Sequence, residues 1–175
     1  MADGTLKVGT ITNSAGSGNI TIGSGVTLLS NVPAFEAYLS ADQTVSDGVN
    51  AKIQFNTEIY DTDNTYDNST NYRFTPTVAG EYFVYSVLLF KSDTASQIND
   101  TTLRLYKNGS QYKRVNTSVT TGNTTTLILN VSTVMILNGT TDYVEIYGNL
   151  NVGSGTATIQ ASEKSTYFGA YRIGA

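Results

Sequence analysis

The stretch DTDNTYDNSTNYRFTP, Asp61 to Pro76, crowds acidic and amide side chains together and then turns into an aromatic run closed by a proline. Three carboxylates in it, Asp61, Asp63 and Asp67, are the groups that a hard cation such as calcium would take as ligands. Asp61-x-Asp63-x-Thr65-x-Asp67 imitates the opening of an EF-hand loop, but Tyr66 stands at the sixth position, where that loop requires Gly. Tyr72 stands at the twelfth, where it requires a bidentate Glu. The stretch therefore reads as a turn that feeds a strand, with Asp61, Asp63 and Asp67 left as candidates for a looser calcium site. Asn and Asp bond their own backbone and favour turns, and Pro76 suits a strand end or edge.

Other chemistry is narrowed by what the chain lacks. It contains no Cys and no His. Thiolate nucleophiles, Cys-ligated metals, Ser-His-Asp triads and histidine-ligated zinc are all excluded. Hydrolysis of a glycoside needs only two carboxylates at a set separation, yet among 14 acidic residues some pair always offers itself. No residue is assigned a catalytic role, and the expectation is a protein that is not an enzyme and holds no cofactor, with calcium at Asp61, Asp63 and Asp67 the alternative. The formal net charge of −4 and the scatter of ten basic residues, apart from Lys113-Arg114, argue against nucleic acid as a partner. The longest apolar run, Val87 to Phe90, is too short to insert in a membrane, and MADGTLKVGT does not read as a secretory signal, so a soluble, unprocessed chain is expected. Asn-x-Ser/Thr triplets at Asn68, Asn116, Asn123 and Asn138 are the chance yield of an Asn- and Thr-rich composition.

The elements that would position any site are strands. Apolar residues are 39% of the chain and charged residues 14%, with Thr, Asn, Ser and Gly filling the remainder, a balance suited to short strands and polar turns. Residues 1–32 carry isolated apolar positions between Gly-Ser breaks, such as Ile20 and Ile22, and cannot bury enough to fold alone. They are expected to form a short β-rich arm that docks on another copy or another protein; a flexible leader is the alternative. Residues 33–175 form the second unit. Strands are expected near 34–39, 52–56, 58–60, 72–75, 81–90, 101–107, 111–117, 124–137, 143–148, 156–161 and 166–173, with Asn108-Gly109 as the tight turn of a hairpin. In 124–137 Leu127, Leu129, Val131, Met135 and Leu137 share one face, while Ile128, Val134 and Ile136 interrupt a polar one. Phe74, Tyr82 and Val84 are expected to share an inward face through their even spacing. Roughly ten short strands at regular intervals imply an all-β sandwich or jelly roll.

Taken in order, AFEAYL at 34–39, KIQFN at 52–56, YDNSTNYRFTPTVAGEY at 66–82, LYKNG at 105–109, LNGTTDYVEI at 137–146 and STYFGAYRI at 165–173 resemble the C1q-like domain of the C1q/TNF jelly-roll superfamily. The signature falls on Phe35, Phe55, Tyr66, Asp67, Phe74, Thr75, Pro76, Gly80, Tyr82, Asn108, Gly109, Leu137, Gly139, Asp142, Val144 and Phe168, with Gly169 beside it. Asn71 stands where the family has a turn glycine, and two residues separate Gly139 from Asp142 where the family has them adjacent. The resemblance implies a ten-stranded jelly roll and a compact homotrimer whose inter-subunit faces the 12 tyrosines help to cover.

With no collagen-like stalk, and with a Gly/Ser/Thr-rich segment leading into the jelly roll, the chain looks like the C1q-like modules of tailed-phage virion proteins. That implies a non-enzymatic structural protein at the virion surface, a capsid decoration or a tail or fibre tip, held by other virion proteins through residues 1–32. Adhesion to a host-surface glycan would use distal loops such as 93–99 and 122–125. A soluble lectin-like recognition module outside any virion is the alternative, and a small glycan-degrading enzyme comes third.

Overall fold

The computed structural model of the chain describes Ser24 and residues 32–119 and 124–174. The arm's expected strands and the loop positions Gly122 and Asn123 lie outside these. Chain contacts divide at residue 31, and everything described below belongs to the unit Val32–Ala175.

Thirteen strands run through the described residues: β1 (Ala34–Tyr38), β2 (Gln43–Val45), β3 (Ala51–Lys52), β4 (Thr57–Asp61), β5 (Tyr66–Asp67), β6 (Arg73–Phe74) and β7 (Gly80–Ser92) in the first half. They are followed by β8 (Ile98–Lys107), β9 (Ser110–Ser118), β10 (Thr126–Leu137), β11 (Val144–Val152), β12 (Ala157–Gln160) and β13 (Tyr167–Gly174). Every pairing is antiparallel. In the first sheet β7 is the spine: β10 lies along one side of it, β13 and β12 share the other, β1 and β4 continue from β13, and β2 continues from β12. The second sheet runs β5-β6-β11-β8-β9, with β3 also on β11. Two antiparallel sheets packed face to face make a jelly roll, the all-β architecture that the strand pattern implies.

Alternation explains which way each strand faces, since successive side chains point to opposite sides of a sheet. Along β7, Tyr82, Val84, Leu88 and Phe90 are fully buried between the sheets, while Phe83, Tyr85 and Val87 point outward and are half-buried. The core they meet is aromatic. Phe35 lies 4.7 Å from Tyr66 and 4.5 Å from Phe74 in stacked arrangements, and 4.9 Å from Phe168 edge to face. Phe55 stands 5.7 Å from Phe168, and Phe74 stands 5.6 Å from Tyr82. The two buried phenols satisfy their hydroxyls on nearby carbonyls, Tyr66 on Phe55 at 3.0 Å and Tyr82 on Val78 at 2.7 Å. The aromatic signature residues, far apart in sequence, are thus one cluster.

The strand ends differ from expectation in instructive ways. β2 and β5 are too short and polar to show a pattern. Ile53 still donates to the Ile146 carbonyl of β11 at 3.0 Å, and residues 54–56 then leave the ladder where the Gln43 side chain takes the place of a strand, its carbonyl accepting from the Gln54 N–H at 3.0 Å and its amide donating to the Lys52 carbonyl at 2.9 Å. Ile53 and Phe55 are nonetheless fully buried. Phe74 and Tyr82 do not share a sheet face. They sit on opposing sheets and meet across the core, because the loop between them changes sheets. The left-handed residue expected at Asn71 is Tyr72, with φ 51°. Asn71 instead turns its amide onto Asp67 at 2.7 Å.

β10 is an edge strand, and exposed edges invite unwanted pairing. Here lysines from the neighbouring sheet guard it: Lys107 donates to the Ile136 carbonyl at 2.8 Å and Lys113 to the Ser132 carbonyl at 3.0 Å.

Candidate functional site

The acidic stretch is a pair of carboxylate-centred turns. Asp61 accepts from the backbone N–H groups of Asp63 at 3.3 Å, Thr65 at 2.6 Å and Tyr66 at 2.8 Å. Asp67 accepts from those of Ser69 at 3.1 Å, Thr70 at 2.9 Å and Asn71 at 3.1 Å, and from the Asn71 amide. The Thr70 N–H, helped by Ser69 and Asn71 and opposed by partial burial, holds the Asp67 carboxyl far below the usual carboxylate range. Among the described residues no group of three or more carboxylates converges to hold a metal ion. The oxygens of Asp61 and Asp67 face inward onto backbone donors, which is what their turns require.

Asp142 has a structural partner that sequence spacing could not supply. Asn108, left-handed with φ 52°, and Gly109, with φ 74°, turn the β8-β9 hairpin. Asn108 donates through its amide to Asp142 at 2.7 Å and accepts from the Tyr143 N–H at 2.9 Å. Lys107 pairs with the other Asp142 oxygen at 3.0 Å, and the Asn138 N–H donates to it at the same distance. Gly139, with φ 69°, lets this loop press on the backbone of Val78 and Ala79, where any Cβ would collide. The Asn108 amide first, then Lys107 and Asn138, pull the Asp142 pKa down. Both shifts have one sign. A carboxyl whose folded pKa lies below its unfolded value contributes stability that is complete above that value, near 4, and is lost as pH falls toward the folded pKa. The denaturation midpoint is expected to hold steady from about pH 7 to 5 and to drop below about pH 4, and Asp142→Asn should show a lower plateau with a shallower acid limb. Equal acid slopes for the two proteins, followed by urea titration at each pH, would reject the assignment.

The feature that stands apart from folding is the outward face of the first sheet. Register places its side chains in rungs: Asn130, Val87, Tyr167 and Tyr38; Ser132, Tyr85, Gly169, Glu36 and Tyr60; Val134, Phe83, Tyr171 and Ala34. Ile128 and Ile136 extend it along β10 and are 59% and 69% exposed, beside Val134 at 46% and Tyr171 at 43%. Rings touch along it, Phe83 with Tyr171 at 5.5 Å and with Tyr85 at 5.9 Å.

The middle rung is a built polar arrangement. A Cβ on Gly169 would lie 2.5 Å from the Tyr85 ring, so the bare glycine lets that ring lie flat across β13. Its hydroxyl then reaches Glu36 on β1 and donates at 2.7 Å. Burial, followed by the hydrogen bonds to Glu36 and Tyr60, pushes the Tyr85 phenol far above its ordinary value, which keeps it a donor. No sequence motif announces this rung, because its members come from five strands.

At one end of the sandwich the loops expected to be distal do meet. Ser92 and Ile98 donate to the carbonyls of Thr125 and Thr124 at 3.0 and 3.2 Å, and the Ser96 N–H donates to the Thr125 hydroxyl at 3.1 Å. Asp93 is occupied there, accepting from the Thr156 N–H at 2.6 Å, which depresses its pKa.

With this geometry in view, the chain has the jelly-roll fold of the C1q and TNF globular domains. It resembles the solved structure of Eiger TNF from S. frugiperda with a TM-score of 0.59 at 11% identity, over 82% of this chain and 94% of that one. It resembles the globular domain of the zebrafish complement 1qA protein with a TM-score of 0.55 at 16% identity, over 81% of this chain and 97% of that one. No protein-family model matches the sequence, and no curated protein matches it. The likeness is one of fold.

Proposed function

We propose that this chain is a non-enzymatic assembly and recognition module that works as a homotrimer closed through the outward face of its first sheet. The observation that carries this reading is that face. Three rungs of four or five residues, with strands about 4.8 Å and rungs about 7 Å apart, together with Ile128 and Ile136 at the ends of β10, present roughly 500 Å² of largely apolar and tyrosine surface. A patch of that size is at the upper end of what a monomer leaves in water, where such patches are often contact surfaces, and it is over half of one partner's share, about 800 Å², of a standard interface. Tyrosine suits such a place, since it buries a large ring and keeps a polar tip satisfied. A heterologous contact that closes after three copies leaves no open end, and it is the arrangement that the C1q-like resemblance implies.

The setting proposed for the trimer is the surface of a tailed-phage virion, with residues 1–32 as the attachment to other virion proteins and the remaining surface free to touch a host. What supports it is the layout, a Gly/Ser/Thr-rich segment entering a C1q-like jelly roll. Light scattering on the purified protein at micromolar concentration is expected to return three times the 18.7 kDa subunit mass. A folded species of single-subunit mass overturns the assembly reading. Mass spectrometry of purified particles is expected to find the chain in stoichiometric amount; its absence there leaves the soluble lectin-like module in place of the virion protein.

A further inference from the structure

The outward face of the second sheet carries a rung of different character. Lys52 on β3 faces Tyr147 on β11, Tyr147 faces Arg104 on β8, and Arg104 faces Arg114 on β9. Lys52 is neutralised by Glu145 at 2.5 Å. The arginines have no such partner: among the described residues the two ion pairs are Lys52 with Glu145 and Lys107 with Asp142. Arg104 is held by a neutral acceptor, donating to the Asn50 side-chain oxygen at 2.8 Å, and Arg114 is exposed.

Like charges directly opposite one another on neighbouring strands are destabilising, with Cβ atoms only about 5 Å apart. In a chain of net charge −4 with 14 acidic residues, a carboxylate beside this pair would have been an easy remedy. Two arginines at facing positions of neighbouring strands instead offer guanidinium forks for multidentate binding of an oxyanion. Tyr106 and Tyr147 lie next to it, their rings 4.4 Å apart, and the Asn50 amide donates to the Tyr106 hydroxyl at 3.0 Å. Aromatic faces beside fixed amides and charged donors are what a sugar ring bearing an acidic group needs, since it offers an apolar face, hydroxyls and one anion.

We infer that the Arg104–Arg114 rung, with Tyr106 and Tyr147 beside it, is a binding site for an acidic glycan, its anionic group a sugar carboxylate or sulfate. An extended polyphosphate is a poorer fit, because among the described residues no basic track continues along the sheet beyond the rung. The inference rests on the recognition role proposed above, but each subunit carries a whole site, so it does not depend on the trimer; closure would add avidity.

Calorimetric titration of the full chain with a hexagalacturonate, a heparin-derived hexasaccharide and neutral maltohexaose tests it. Binding of at least one acidic oligosaccharide, at least tenfold tighter than maltohexaose and weakened by added salt, is expected. Arg114→Gln and Arg104→Gln should each weaken it about tenfold or more, while Lys164→Gln, a surface cation set over the Tyr38 ring, leaves it unchanged. Which of the two acidic probes binds separates carboxylate from sulfate. Failure of both to bind at millimolar concentration, equal binding of the neutral probe, full retention in Arg114→Gln, or tighter binding of single-stranded DNA overturns the inference. A folded monomer that binds the acidic probe removes the trimer and keeps this site; a trimer that does not bind does the reverse.

Discussion

Replacing Phe35 with alanine is expected to cost about 4 kcal/mol of folding free energy, near the top of the range for truncating a buried aromatic. The ring is fully buried and touches Tyr66, Phe74 and Phe168 at centroid distances of 4.7, 4.5 and 4.9 Å. It comes from β1 and contacts residues of β5, β6 and β13, so it joins both sheets. Its loss removes the transfer free energy of the side chain and leaves a cavity that rings on stiff strands cannot collapse to fill. Three aromatic contacts, each worth about 1 kcal/mol beyond area alone, are lost together. With a urea dependence of roughly 2 kcal/mol per molar for a domain of this size, the midpoint should fall by about 2 M. Tyr112→Ala, at a position 50% exposed on β9, should change stability by under about 0.5 kcal/mol. Protein concentration must be held constant throughout, since stability of an oligomer depends on it. A loss below about 1 kcal/mol for Phe35→Ala would mean that the aromatic cluster is not what joins the sheets.

The second large effect concerns assembly. In the double variant Ile128→Lys with Val134→Lys the mass in solution should fall to that of one subunit, 18.7 kDa, with the far-ultraviolet spectrum unchanged. Both positions are exposed in the subunit, so the lysines stay in water when the chain is alone and the fold loses little. In a closed interface the same two ammonium groups would be taken out of water without partners, a cost of several kcal/mol each. That is enough to raise a dissociation constant by at least about a hundredfold, and more when repeated around a symmetric ring. Asn116→Lys, exposed on β9 of the other sheet, is the control that should keep the oligomeric mass. If the double variant keeps it too, the outward face of the first sheet is not the interface, whatever the oligomeric state.

These expectations rest unequally on what could be read without coordinates. Phe35, Tyr82 and Phe168 sit within strands where alternation points them inward to the one core, whereas Phe74 ends a two-residue strand and enters that core from the opposing sheet. The Asn108-Gly109 turn was equally legible, because only a few residues tolerate its backbone angles. The position of Tyr72 was not: whether residue 71 or 72 takes the left-handed conformation depends on which side chain captures Asp67, a competition among hydrogen bonds that spacing cannot rank. Residues 54–56 show the same limit, since the side chain of Gln43 on β2 takes the Gln54 N–H where their apolar pattern implied a strand.

What the amino-acid order determined alone was local: the period-2 alternation, the turn residues, the aromatic spacing, and the exclusion of histidine and cysteine chemistry. Those properties act between neighbours a few residues apart, and they were enough to specify an all-β sandwich or jelly roll, the choice of jelly roll coming from the resemblance to the C1q-like domain. Tertiary structure decided which residues on strands distant in sequence stand side by side. Glu36, Tyr85 and Gly169 form one rung, and Lys52, Tyr147, Arg104 and Arg114 another, only because antiparallel register aligns them. Register is set by the summed packing of both sheets, and a slip of one residue would turn every one of these side chains to the opposite face.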